Sequence, residues 1–359
     1  MVAKNHIAFF SPSLPASLFG LALAALHPQS AQAQLPAFRE DWNASASARF
    51  DFVSHGGSQA VSNIPAAGAE DGKALQLSIG KGAAVSPAGG SEVESKSLFQ
   101  YGTLTARIRT ADCKEQPNAG IVTGFFTYFN DGSDQNGNGL PDNSELDFEW
   151  LCGEPQVLYL TFWTDYRDAD AVSKRVTRTV NLATGKILDT EYREGWGAGT
   201  KLTGAENDPT TVATVAGYNS STAFYEYGLS WDAERVLGWM INPKDSSRLV
   251  LWDYRGPRAR IPARASRFLI NAWHTNTWTP PDNPAANQAP ANTISALVDW
   301  AAYDPKPVTT ALAVGSGSAR SASSAKSGNT LGAYWRLPSR DARIDARGRH
   351  QSLRAPSSP

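Results

Sequence analysis

Several residue types and patterns are scarce in this chain. Only two cysteines, Cys113 and Cys152, occur in 359 residues, and the chain has no Cys-x-x-Cys pair or Cys/His cluster for a zinc site. An excess of charge is also lacking, because 33 basic residues face 34 acidic ones. Such a chain has no long-range field to attract nucleic acid or an anionic membrane. The apolar run at 16–26 is far shorter than the ~20 residues that a membrane-spanning helix needs, and no later stretch is longer. We therefore expect no nucleic-acid partner and no membrane span.

The N-terminus has the order of features found in an export signal. Lys4 and His6 precede the short apolar run, and Ala31-Gln32-Ala33 follows it with the small-x-small pattern that a signal peptidase accepts. A buried N-terminal helix is the alternative, but Pro12 and Pro15 interrupt its start. The sequence thus predicts a signal peptide over residues 1–33 and a secreted or periplasmic protein.

The body of the chain, residues 34–306, has the pattern of an all-β domain. Residues 74–79 and 104–109 alternate apolar with polar side chains, which is typical of strands with one solvated face. Similar short runs continue to residue 303, separated by Gly, Pro, Asn and Asp clusters. Long helical periodicity is absent, so the sequence predicts one large β-sandwich. The Ser/Ala/Arg-rich residues 307–359 offer few apolar side chains and are predicted to be a disordered tail.

The most informative segment is Ser144-Glu145-Leu146-Asp147-Phe148-Glu149-Trp150. On a strand, alternation places Glu145, Asp147 and Glu149 on one face and the large apolar residues on the other. Packing between sheets explains the apolar face. Three like charges in a row repel one another, so a purely structural strand has little reason to carry them. The pattern therefore favours a functional acidic face.

Glycoside cleavage with retention of configuration needs two neighbouring carboxyl groups with different roles. One carboxylate attacks the anomeric carbon, and one carboxylic acid protonates the leaving oxygen. Crowding raises the pKa of at least one member and keeps it protonated near neutral pH. Retaining enzymes hold the two carboxyls ~5–5.5 Å apart, whereas residues four apart on a flat strand are separated by ~13 Å at Cα. The two glutamates must therefore lean together, which favours a curved sheet with a cleft.

Residues 145–149 resemble the signature of glycoside hydrolase family 16, the laminarinase and lichenase group. Residues 101–108, 224–231 and 298–303 resemble three further motifs of the family, in the family's order. The resemblance implies a β-jelly-roll (concanavalin-like) sandwich of two curved antiparallel sheets. It also implies that Glu145 is the nucleophile, Glu149 the general acid/base and Asp147 the assisting residue. The activity that it implies is endo-hydrolysis of β-1,3- or β-1,3-1,4-glucan or a related polysaccharide.

The chain departs from the family pattern at a few positions. Tyr225 and Ser144 stand where many members have His and Gly, and Asn242-Pro243 stands where they often have Asp-Gly. None of these changes removes a catalytic carboxyl. They leave the sugar and the linkage open.

Aromatic residues near the motif are candidate substrate contacts. Trp163 lies on the strand expected beside the catalytic one, and Trp273, His274 and Trp278 lie where the family carries a cleft-facing Trp. For each tryptophan, core packing is an equal alternative to stacking on sugar. A surface role is the alternative for His274.

A second motif overlaps the first. Its residues, in the order of oxygen ligands in a calcium loop, are Asp134, Asn136, Asn138 and Asp142. A full site of this type would use Glu145 as a ligand and would need flanking helices, which a β-sandwich lacks. A smaller structural Ca²⁺ site is possible, but a turn leading into the catalytic strand is favoured. The predicted chemistry requires no cofactor.

Other functions remain open at this point. A non-catalytic carbohydrate-binding module or lectin could use the same fold, although it would not need both glutamates. A calcium-dependent adhesion domain would leave the acidic strand unexplained, and a transglycosylase would share the covalent intermediate. In each enzymatic case the partner is a polysaccharide, and a monomer is expected. Cys113 and Cys152 each follow a predicted strand, so a disulfide between them is possible in an oxidising compartment.

Overall fold

The computed structural model describes residues 35–167, 172–278 and 287–307. The predicted signal peptide and nearly all of the predicted tail lie outside these described residues. Within them, no helix is long and apolar enough to cross a membrane. The two short 3-10 turns are Gly204–Asn207 and Arg258–Arg260, and strands supply most of the remaining regular structure.

Seventeen strands follow one another along the described chain. In order they are β1 Phe38–Glu40, β2 Phe50–His55, β3 Gln59–Pro65, β4 Lys73–Ile79, β5 Gly90–Ser95, β6 Gly102–Arg109, β7 Ile121–Tyr128, β8 Asp142–Leu151, β9 Val157–Arg167, β10 Val172–Asn181, β11 Lys186–Glu194, β12 Thr200–Lys201, β13 Tyr225–Trp231, β14 Val236–Ile241, β15 Arg248–Tyr254, β16 Arg267–His274 and β17 Ile294–Asp304.

These strands form two antiparallel sheets. The nine-stranded sheet has the order β12-β11-β10-β9-β8-β7-β16-β5-β2. The eight-stranded sheet has the order β15-β14-β13-β6-β17-β4-β3, with β1 paired to β17. Strand β8, which carries the acidic motif, therefore lies near the middle of the nine-stranded sheet, between β7 and β9.

The core lies between the sheets, and β8 contributes its apolar face to it. Leu146, Phe148 and Trp150 are fully buried. The ring of Trp150 lies 4.6 Å from that of Tyr227 in the other sheet, measured between centroids. Burying such large side chains on one face of a strand is strongly favourable and fixes which residues face outward. The prediction of an all-β jelly-roll sandwich is confirmed.

The two cysteines are joined. Cys113 follows β6 and Cys152 follows β8, and their Cα atoms are 5.4 Å apart across the disulfide. The bond closes a loop with a sequence separation of 39. Because it restricts the unfolded chain, it stabilises the folded state by about 3–4 kcal/mol. It ties the end of β8 to the chain that leaves β6 in the other sheet.

Candidate active site

The predicted acidic face exists on β8. Because directly paired residues of an antiparallel ladder share a face, the register with β9 locates each carboxyl: Glu145 pairs with Trp163, Asp147 with Thr161 and Glu149 with Tyr159. Glu145 is 7% and Asp147 3% exposed. Glu145 and Asp147 are thus buried, and Glu149 is half-buried beside them, on the face of the sheet that points away from the core.

Each carboxyl accepts a hydrogen bond from a different neighbour. The Asn143 amide donates to Glu145 Oε2 over 2.7 Å, and the Trp163 indole N–H donates to Asp147 Oδ2 over 2.8 Å. The indole of Trp273 donates to Glu149. Neutral donors of this kind orient a carboxyl without cancelling its charge, so the three groups still interact electrostatically.

Burial and mutual repulsion shift two of the pKa values upward. Burial raises the pKa of Glu149 to about 8, against the lowering effect of the Trp273 hydrogen bond. Burial, and then the charges of Glu145 and Glu149, raise the pKa of Asp147 well above its usual range. Glu149 is therefore protonated at neutral pH. A protonated carboxyl beside two others is the arrangement that general acid catalysis requires.

An open cleft of about 230 Å³ begins at Glu149 and runs across strands β9, β10 and β11. Aromatic side chains in its lining are Tyr159, Trp163, Trp196 and Trp278. The rings of Tyr159 and Trp278 meet edge to face with centroids 4.7 Å apart. Flat apolar faces next to polar groups are suited to sugar rings, which have both kinds of surface.

The three predicted tryptophans all lie on the side of the sheet that carries the carboxyls. Trp163 donates to Asp147 and lines the cleft, and Trp273 donates to Glu149. Trp278 lines the cleft and packs against Trp273 at 6.5 Å between ring centroids. The geometry keeps Trp278 as a candidate for stacking on substrate.

His274 is placed differently from the prediction. It pairs with Ile121 of the core, is 3% exposed, and its Nδ1 lies 2.9 Å from the carbonyl oxygen of Ala83. As the residue after Trp273 on a strand, it points to the opposite face. The structure therefore does not support its predicted contact with substrate.

The predicted calcium loop has the hydrogen bonds of a turn. Both carboxylate oxygens of Asp134 accept backbone N–H groups, from Gly137 and Asn138 on one oxygen and from Gly139 on the other. Asp142 is paired with Arg264 at 3.0 Å. No group of three or more acidic, His or Cys side chains in the described ranges is arranged to hold a metal ion. Protein donors thus engage both oxygens of Asp134 and Oδ2 of Asp142, whereas Asp142 Oδ1 is buried without a hydrogen-bond partner. These hydrogen bonds are those of the turn that the sequence favours, and a Ca²⁺ site at the loop stays a prediction.

Sequence reasoning missed three residues that contribute to the site. Asn143 supports Glu145, while Arg175 and Trp196 line the cleft wall beyond Trp163. Asn143 could have been found, because it precedes Glu145 by two positions and so shares its face. Arg175 could not, because its position depends on the pairing of β10 with β9.

Comparison with known proteins agrees with this geometry. Residues 54–183 match the model of glycosyl hydrolases family 16. This match confirms the predicted resemblance. It spans strands β3 to β10 and so includes the three carboxyls of β8, and family 16 is a family of glycosidase-type enzymes. No curated protein sequence matches the chain.

Several solved structures are similar to this chain. A prokaryotic β-1,3-1,4-glucanase (lichenase) from a mouse hindgut metagenome is 17% identical, with a TM-score of 0.44, over 76% of this chain and 100% of its own. The β-glucanase of Bacillus licheniformis is 14% identical, with a TM-score of 0.42, over 75% and 97%. The laminarinase of Flavobacterium sp. UMI-01 is 14% identical, with a TM-score of 0.42, over 74% and 98%.

Proposed function

We propose that the protein is a retaining endo-β-glycosidase that hydrolyses β-1,3- or β-1,3-1,4-glucan or a related polysaccharide by double displacement. The observation that carries the proposal is the set of three carboxyls that share one face of β8 at the edge of the cleft, and the raised pKa of Glu149 supports it. The family match over this strand supports the same reaction class. The disulfide between Cys113 and Cys152 fits a secreted or periplasmic protein, because such bonds persist in oxidising compartments.

Glu145 is the proposed nucleophile. Its carboxylate attacks the anomeric carbon, and the bond from that carbon to the leaving oxygen breaks as a glycosyl ester forms. The Asn143 amide, 2.7 Å from Oε2, stabilises the ionised form that attack requires. Hydrogen bonding to the charged state favours that state, so Asn143 keeps Glu145 available as a carboxylate beside two other acidic groups.

Glu149 is the proposed general acid and base. With its pKa raised to about 8, it holds a proton at neutral pH and delivers that proton to the leaving oxygen in the first step. As a carboxylate it then takes a proton from water, which attacks the glycosyl ester and releases Glu145. The proton balance closes, because Glu149 ends the cycle protonated. No cofactor takes part.

Asp147 lies between the two glutamates in sequence, and its pKa is raised by both. Protonated, it can donate a hydrogen bond to a neighbouring carboxylate, so it is proposed to reduce repulsion as charge moves between Glu145 and Glu149. The Trp163 hydrogen bond fixes one of its oxygens.

One screen tests the proposal. The purified protein is incubated with laminarin, mixed-linkage β-glucan, galactan and xyloglucan, and reducing ends, product sizes and the anomer released first are measured. We expect long oligosaccharides with β configuration from a glucan, and no product from Glu145→Ala or Glu149→Ala. Release of α anomers would contradict retention. Binding without cleavage of any of the four polysaccharides would favour the carbohydrate-binding module, and lengthened chains would favour a transglycosylase.

A further inference from the structure

The wall of the cleft holds a buried cation that the proposed reaction does not use. Arg175 on β10 is 5% exposed and pairs directly with Trp163 of β9. Its Cζ atom lies 4.6 Å from the ring centroid of Trp163 and 4.6 Å from that of Trp196. A desolvated guanidinium against indole faces is a favourable contact, because the ring face carries partial negative charge.

The guanidinium is itself held in place. Its Nη1 atom donates to Ser173 Oγ over 2.6 Å and to the carbonyl oxygen of Gly195 over 2.9 Å. Ser173 is fully buried, and its carbonyl accepts the backbone N–H of Gly195. Burial and the nearby Arg193 lower the pKa of Arg175 to about 10, so the group remains charged at neutral pH. It is a fixed cation on one face of the Trp163 indole.

The same indole has a second role at its edge. Trp163 is 4% exposed, and its N–H donates to Asp147 Oδ2. A tryptophan ring can turn only about its two side-chain torsions, so pressing one face against a guanidinium restricts where the N–H points. The direction of this N–H determines how the Asp147 carboxyl is oriented between the two glutamates.

We propose that Arg175 is a positioning residue, whose guanidinium fixes the Trp163 indole so that its N–H holds Asp147 in the orientation that catalysis needs. This inference rests on the proposed function, because Asp147 matters only if the strand is catalytic. It assigns Arg175 no contact with the reacting atoms. Arg175 acts on Asp147 only by orienting the Trp163 side chain.

A double-mutant cycle tests the chain of contacts. Arg175→Gln removes the planar cation, and Trp163→Phe removes the indole N–H while keeping an aromatic ring. We expect Arg175→Gln to lower kcat about tenfold with KM changed less than about twofold, and to shift the alkaline limb of the pH profile. In the Trp163→Phe background, Arg175→Gln should lower kcat by less than about twofold. The effects of two substitutions are not additive when one residue acts through the other.

The matched control is Arg248→Gln. Arg248 also lies 4.6 Å from an indole centroid, that of Trp239, but on the eight-stranded sheet away from the cleft. This variant should keep kcat within about twofold. If Arg175→Gln does not fold, Arg175→Lys replaces it, because lysine keeps the charge without the planar stack. Arg175→Lys should lower kcat less than Arg175→Gln, and its effect should again not add to that of Trp163→Phe.

A spectroscopic readout separates this inference from the proposed function. The Trp163 indole N–H signal, identified by its loss in Trp163→Phe, should lie downfield in the wild type and move toward free indole in Arg175→Gln. Full additivity of the two substitutions, a change confined to KM, or an unmoved indole signal would overturn the positioning role. A wild type with the shifted indole signal but no glycosidase activity would instead refute the proposed function, and would leave the contacts among Arg175, Trp163 and Asp147 without a catalytic role.

Discussion

At the residue scale, the decisive feature is that the three carboxyls of β8 differ in hydrogen bonding and in burial, so that different protonation states are favoured. Asn143 supports the charged form of Glu145, whereas burial favours the neutral form of Glu149. Alternation along the strand predicted that Glu145, Asp147 and Glu149 would share a face. It could not predict which donor serves each of them, because Trp163 and Trp273 reach the site from other strands whose register is set by tertiary pairing.

The raised pKa of Glu149 has a consequence for stability. A glutamate in an unfolded chain loses its proton near pH 4.5, but the folded protein retains the proton up to about pH 8. The folded state therefore binds this proton more tightly. Its contribution to stability is complete below the unfolded pKa and is lost as the pH rises through the folded one.

We accordingly expect the free energy of unfolding of the wild type to fall between about pH 5 and about pH 8.5, and Glu149→Gln to reduce that fall. Urea unfolding at the two pH values measures the free energy of unfolding of each protein. The control is Glu234→Gln, at an exposed position, which should leave the fall unchanged. If Glu149→Gln and Glu234→Gln follow the same curve as the wild type, burial of Glu149 does not raise its pKa.

At the element scale, strands with strong apolar alternation were predictable and polar ones were not. The predicted strands 74–79 and 104–109 lie within β4 and β6. Strand β11, Lys186–Glu194, was missed because charged and hydroxyl residues fill most of its positions. Its pairing with β10 along eight registered pairs stabilises it, and such long-range pairing is not visible in local sequence.

The same alternation of faces explains the position of His274. Its neighbour Trp273 is on the carboxyl side of the sheet, and proximity in sequence suggested a shared role. On a strand, adjacent residues point to opposite faces, so His274 had to face the core once Trp273 faced the cleft. The alternation of residues 268–273 in the sequence therefore already predicted that His274 and Trp273 lie on opposite faces.

The disulfide belongs to this scale, since it joins the chain after β6 to the end of β8. Cys113→Ala/Cys152→Ala should lower stability by about 3–4 kcal/mol, which for a domain of this size corresponds to a fall in Tm of roughly 10 °C. Calorimetry measures the change. Wild type kept in reductant should lose a similar amount, and an unchanged Tm in both samples would show that the bond is not formed in solution.

At the scale of the whole molecule, the four family-like motifs come together through topology. Three of them, residues 101–108, 224–231 and 298–303, fall largely on β6, β13 and β17, which are neighbours in the eight-stranded sheet. The fourth is β8 in the facing sheet. The eight-stranded sheet thus supplies the apolar surface on which β8 packs, and the cleft opens on the other side of β8. The sequence predicted these segments in order, but their adjacency is a property of the fold.

Glu145 is the proposed nucleophile, and Glu149 is the proposed proton donor and acceptor. The most direct test is the configuration of the product formed with azide from an activated aryl β-glycoside, which needs no protonation to leave. In Glu149→Ala the glycosyl ester of Glu145 still forms, so azide should displace it and give a β-glycosyl azide. In Glu145→Ala, azide must attack the substrate itself from the vacated side, which gives the α-glycosyl azide. The opposite pair of configurations would contradict the assignment.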